Sequence, residues 1–184
     1  MKKLVSLSIV VSSLLLFTSC GTTGDSSLAT TPFAGEGFSI DVPSAWVKVE
    51  KEALPVTKNG AVVLALTSTE IASGFANNMT VLKEKMSEAI TSKKYSIVNY
   101  ALTTSEYKDF VKLEEKSITF TADNDESNIY TFEAKYNTDT PKQKFIQTAK
   151  VCGDTVYLLT VGLNLGTPST TKYEDLIKTF TCNK

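Results

Sequence analysis

Residues Phe145 to Leu163 read FIQTAKVCGDTVYLLTVGL, and no other stretch constrains the fold as much. Phe145, Gln147, Ala149 and Val151 fall on one side of an extended chain, and Ile146, Thr148, Lys150 and Cys152 on the other. After Gly153-Asp154, a turn dipeptide, Tyr157, Leu159, Val161 and Leu163 alternate with Val156, Leu158 and Thr160. Side chains of a strand alternate between faces with period two, so two largely apolar faces imply strands covered on both sides. The segment predicts a hairpin at the centre of a sheet.

Around that hairpin the chain alternates between short strands and turns. Gly37 to Pro43 has period two and stops at proline, and Trp46 to Val49 continues it as a second extended piece. The only tryptophan is expected to fill core. Ala61 to Leu66 is an apolar run of strand length, and Asn78 to Lys83 alternates through Met79 and Val81. Ser92 to Leu102 reads as a helix whose Tyr95, Val98 and Leu102 form one stripe, the usual mark of a core-facing side. Phe110 to Phe120 and Ile129 to Tyr136 return to strand character around the polar turn Asp123-Asn124-Asp125-Glu126. A last helix from about Thr171 to Phe180 places Tyr173, Leu176, Ile177 and Phe180 on one face. Thr171 and Glu174 have the spacing of a capping box. Strands, a helix, a long antiparallel meander and a closing helix make an α+β domain: an antiparallel sheet flanked by helices.

The N-terminus carries an address. Lys2 and Lys3 precede an apolar run, Leu4 to Phe17, and small residues lead to Cys20. Residues 1–19 fit a secretory signal peptide, whose run is short for a membrane span. Its end resembles a bacterial lipobox, with Phe17 where leucine is usual. That resemblance implies lipidation of Cys20 and attachment to the membrane, the outer membrane in a Gram-negative host; cleavage to a soluble exported protein is the alternative. Residues 20–33 are small, polar and nearly uncharged, a composition expected of a flexible tether. Residues 34–184 then form one domain.

Composition narrows the chemistry. All 19 basic residues are lysine, and the chain has neither arginine nor histidine. Without the guanidinium fork and without a lysine cluster, nucleic acid is not an expected partner. Without histidine there is no Ser-His or Cys-His pair and no His-ligated metal site. With Cys20 assigned to lipid, Cys152 and Cys182 remain as an even pair in an exported chain; a disulfide is the default reading and two reduced thiols the alternative. Asp123, Asp125 and Ser127 imitate the start of a calcium loop, but Asn128 stands at the glycine position and Ala134 at the final glutamate position, so a solvated hairpin turn is expected. Gly35-Glu36-Gly37 precedes a strand rather than a helix, which does not make a phosphate cradle. No metal or cofactor is expected.

Four segments, in order, carry a resemblance: GFSIDVPSAW, ANNMTVLKEKM, the pair DFVKLEEKSITF and IYTFEAKY, and VCGDTVYLLTV followed by YEDLIKTF. Together they resemble the PsbP-like family, across Phe38 to Phe180. That family includes the extrinsic PsbP subunit of photosystem II, a Ran-binding nuclear import factor and bacterial lipoproteins, mostly binding or assembly proteins. The resemblance implies an αβα sandwich and a protein that is not an enzyme. The expected function is a lipid-anchored binding or assembly lipoprotein of the cell envelope with a protein partner. Two alternatives stand beside it: a carrier for a small apolar or lipid ligand, and an envelope hydrolase working through carboxylates.

Overall fold

The computed structural model describes residues 28–54, 57 and 60–183. The expected signal peptide, Cys20 and the segment up to residue 27 lie outside the described residues. The elements in chain order are β1 (Thr30–Gly35), β2 (Phe38–Pro43), β3 (Trp46–Lys48), a 3-10 turn (Lys51–Ala53), β4 (Ala61–Ala72), β5 (Phe75–Lys85) and α1 (Ser92–Glu106). Then follow β6 (Lys108–Thr119), β7 (Glu126–Lys135), β8 (Gln143–Cys152), β9 (Thr155–Leu163), α2 (Thr171–Lys178) and β10 (Thr181–Cys182). A seven-stranded sheet runs β3-β4-β5-β9-β8-β7-β6, and a three-stranded sheet runs β1-β2-β10. Every pairing is antiparallel.

The alternating hairpin is the middle of the large sheet, with β9 between β5 and β8. Its two apolar faces meet different layers. Tyr157, Leu159, Val161 and Leu163 join Met79, Val81, Leu64 and Leu66 in the main core, closed by α2 and the small sheet. The rings of Phe38, Tyr157 and Phe180 meet there at 5.1–5.2 Å between centroids. Such pairs contribute about 0.5–1.5 kcal/mol each beyond area burial. The face of α2 read from the sequence, Tyr173, Leu176, Ile177 and Phe180, is wholly buried in this core. The fold is thus α+β with a helix on each side of the large sheet, and the small sheet shares the α2 side.

Several boundaries differ from expectation. The tether expected to reach residue 33 ends earlier: β1 begins at Thr30 and pairs with β2 from Thr30↔Pro43 to Gly35↔Phe38. Proline at position 32 is tolerated because β1 is an edge strand. The capping box is not formed. Thr170 is the N-cap and makes no side-chain cap bond; its hydroxyl donates to Glu174 at 2.7 Å. Glu174 is buried and turned to Lys116 Nζ at 2.6 Å, which ties α2 to β6. Trp46 is half-buried at the rim of the core, 5.9 Å from the Tyr173 ring.

The turn between β6 and β7 is more than solvated loop. Lys150, on central strand β8, is 1 % exposed. Its ammonium reaches Asp123 at 2.6 and 2.8 Å and Asp125 at 3.0 Å, and lies 4.8 Å from the Phe120 ring centroid. The Asp123 carboxyl is held below the usual carboxylate range: burial pushes it up, but the hydrogen bonds from Lys150 and the local backbone outweigh that. Two carboxylates that imitate a calcium loop are thus engaged by an internal lysine.

Candidate binding groove

Helix α1 is oriented opposite to the rule that the apolar stripe faces the core. It starts where Thr91 accepts the Lys94 amide at 3.2 Å, a standard N-cap, and runs to Glu106, past the expected Leu102. Its buried residues are Ser92, Ser96 and Thr103. Each is bonded into the sheet. Ser92 Oγ donates to Asp125 and accepts the Val151 amide at 2.8 Å. Ser96 Oγ accepts the Asn128 amide at 3.2 Å, and Thr103 Oγ1 donates to Gln147 Oε1 at 3.0 Å. Asn99 Nδ2 donates to the same Gln147 oxygen at 3.1 Å, while Gln147 Nε2 donates to Thr160 at 3.1 Å. Buried polar groups must be paired, and here small hydroxyl and amide side chains spaced along one helix face pair with polar side chains and backbone of β7 and β8.

The expected core stripe is therefore displaced. Val98 and Leu102 are 50 % and 58 % exposed, and Tyr95 is half-buried. They form the wall of a groove of about 900 Å³ whose floor is the part of the large sheet that α1 leaves open: Val62 of β4, Thr80 and Leu82 of β5, Leu158 and Thr160 of β9. The volume lies in the upper part of the range for ligand sites. A second, aromatic cluster sits under α1, with Tyr100 stacked on Tyr130 at 3.9 Å and Tyr107 edge-on to Phe145 at 5.2 Å. This cluster clamps the helix while leaving its outer flank free.

Each end of the groove has an acid and a tyrosine. At one end Tyr95 donates to Glu84 at 2.6 Å, and burial together with that carboxylate pushes the phenol well above its ordinary range. At the other end Tyr107 lies edge-on to Tyr136 at 5.7 Å; burial, then the charges of Tyr136 and Glu106, push its phenol up to about 12. Tyr95 and Tyr107 are twelve residues apart on and just beyond α1, so the groove is roughly 18 Å long at the helical rise. Glu84 and Glu106 thus stand at opposite ends.

The remaining sequence-predicted residues lie elsewhere. Cys152 and Cys182 are on the far side of the sheet, in disulfide geometry with Cα atoms 5.6 Å apart, joining the end of β8 to β10. Cys20 lies outside the described residues. Among the groove residues, the sequence places Tyr95, Val98 and Leu102 on a core-facing stripe, Gln147, Leu158 and Thr160 in the central hairpin, and Tyr136 at the end of a strand.

No protein-family model matches this chain, and no curated protein matches it in sequence. Solved structures do. Cyanobacterial PsbP (CyanoP) from Synechocystis sp. PCC 6803 superposes with a TM-score of 0.59 at 12% identity, over 91% of this chain and 99% of that one. The Ran-binding protein Mog1p of Saccharomyces cerevisiae superposes with a TM-score of 0.51 at 9% identity, over 85% of this chain and 96% of that one. The fold is the PsbP-like one.

Proposed function

We propose that this chain is an exported, lipid-anchored binding module of the bacterial cell envelope, which acts without catalysis and holds an apolar segment of a protein partner in the groove beside α1. The observation that carries the reading is the inverted helix: its polar face is spent on the sheet, while Val98 and Leu102 are presented to a groove floored by Leu82, Leu158 and Val62. An amphipathic segment laid along such a groove buries apolar area at about 25 cal/mol per Å². Mog1p, which shares the fold, is by its name a binder of another protein. The acids of the groove stand at its two ends, Glu84 bonded to Tyr95 at the start of α1 and Glu106 at the end of α1, and are not a facing pair of the kind that hydrolytic carboxylates form. Acylated Cys20 would hold the domain at the membrane, and Cys152–Cys182 would close after export, where disulfides persist.

The groove volume also suits a small apolar ligand, and one experiment separates the two occupants. A photo-crosslinking amino acid is placed at Val98, and at exposed Glu88 as control, in the full chain in its own host. A protein adduct at Val98 that is absent at Glu88, and that disappears with Leu102→Asp, is the expected result. Identical adducts at both positions overturn the reading. A groove filled by an extractable lipid, with no protein adduct, replaces it by the carrier.

A further inference from the structure

The two ends of the large sheet differ in the apolar side chains they expose, and the first described residues meet the fold beside one of them. The Ala29 carbonyl accepts the Ser44 amide at 2.9 Å, two residues before Trp46, which pairs with Ser68 of β4. Three residues further along β4, past a bulge, Ile71 stands at the tip of the β4–β5 hairpin. The tip turns through Ser73 and Gly74, with φ of 53° and 75°, the left-handed pair that suits a two-residue hairpin turn. Residues Ile71 to Ala76 carry no charge, and Ile71 is 74 % exposed. The loop after β9 lies against this hairpin, since Asn164 donates to the Phe75 carbonyl at 3.2 Å, and it exposes Leu165. Tyr136, 64 % exposed, follows β7 at the same end, because Ala134 pairs with Gln143 and Lys144 with Leu163.

The turns of the opposite end carry Glu88, Asp123, Asp125 and Asp154, the last three paired with Lys150 or Lys85, and they expose no large apolar side chain among the described residues. Its register is fixed by Lys85↔Thr155 and Thr119↔Glu126. Exposed aliphatic and tyrosine side chains settle into the interfacial layer of a membrane, and turns without them do not.

We infer that the end bearing Ile71, Leu165 and Tyr136 faces a lipid bilayer, with the β4–β5 hairpin tip seated in its interfacial layer as a second contact beside the acyl anchor. The inference rests on the proposal that Cys20 is lipidated. Leu28 is eight residues after Cys20, a reach of at most about 28 Å when fully extended. The junction at Ala29 is thereby held close to the bilayer, and the hairpin tip beside it is within reach of the surface. The groove then stands with its Tyr107–Tyr136 end toward the lipid and its Tyr95–Glu84 end away from it.

The test uses the full chain, acylated in its host and reconstituted into phosphatidylethanolamine/phosphatidylglycerol vesicles. The fluorophore NBD is attached through Ile71→Cys, through Leu165→Cys, or through Glu88→Cys at the opposite end. Lipids carrying a nitroxide near the headgroup serve as quenchers, and the mass of the N-terminal peptide reports acylation. Several-fold stronger quenching at positions 71 and 165 than at 88, with a blue shift at 71, is the expected outcome. An acylated peptide with equal quenching at all three positions overturns this orientation and leaves the anchor intact. A peptide with unmodified Cys20 overturns the anchor and the orientation together.

Discussion

Replacing Lys150 should matter less than replacing the acids that neutralise it. The lysine side chain is 1 % exposed, while Asp123 and Asp125 are 48 % and 35 % exposed. Lys150→Met therefore removes the only deeply buried charge of the cluster and keeps most of the side-chain volume over Phe120. The two aspartates it leaves behind can recover water, so the loss should stay within about 1 kcal/mol, mainly the cation–ring contact. The double variant Asp123→Asn/Asp125→Asn keeps the turn but strands an ammonium in the interior. Leaving a buried charge without its partner costs about 3–5 kcal/mol, or roughly 6–20 °C in Tm for a domain of this size. Urea unfolding at pH 7, with equal m-values checked, measures both variants. The pH dependence provides a second signature. The folded-state pKa of Asp123 lies below its ordinary value of 3.8, so its contribution is present above that value and is lost as pH falls through the folded pKa. Lys150→Met should flatten the acid limb below pH 4, which the parent keeps. Greater loss from Lys150→Met than from the double variant would refute the account of the cluster as a buried cation held by solvated acids.

Two further outcomes follow from the described geometry. A bridge between Cys152 and Cys182 closes a sequence separation of 30 residues, so Cys152→Ser/Cys182→Ser should cost about 3–4 kcal/mol in the chain-entropy model, read by urea unfolding with and without reductant. Tyr107, with its phenol pushed up to about 12, contributes stability that is intact below pH 10 and is lost as pH rises from 10 toward 12; Tyr107→Phe should make the alkaline unfolding limb shallower, and an unchanged limb would contradict the burial of that hydroxyl.

The parts of this fold that sequence shows most plainly are those whose partners are apolar and whose period is unmixed. The β8–β9 hairpin alternates on both faces because both faces are covered, and α2 has one apolar side because only one side meets the core. What escaped detection depends on distant pairing. Strand β10 is two residues long and exists because Thr181 and Cys182 meet Ser39 and Phe38. Strand β1 looks like tether, since Thr30-Thr31-Pro32 has neither alternation nor charge; pairing with β2 makes it a strand. Lys150 reads as one polar residue on a strand face, and only the fold of the β6–β7 turn brings two carboxylates to it.

Helix α1 marks where periodicity stops being informative. Its apolar residues at 95, 98 and 102 do form a stripe, and a stripe fixes an amphipathic helix without fixing which side meets the protein. The competing pattern was present in the same residues: Ser92, Ser96, Asn99 and Thr103 recur at steps of four, three and four. A row of small hydrogen-bonding side chains can lie against a sheet only if the sheet offers matching polar groups. Strands β7 and β8 do so through the Gln147 side chain, the backbone amides of Asn128 and Val151, and Ser127, which donates to the Ser92 carbonyl. Two buried strands rich in amide and hydroxyl groups therefore predict a helix packed by its polar side. That packing in turn leaves an apolar flank for something other than this domain, and the candidate site follows from the polar residues of the strands rather than from the apolar residues of the helix.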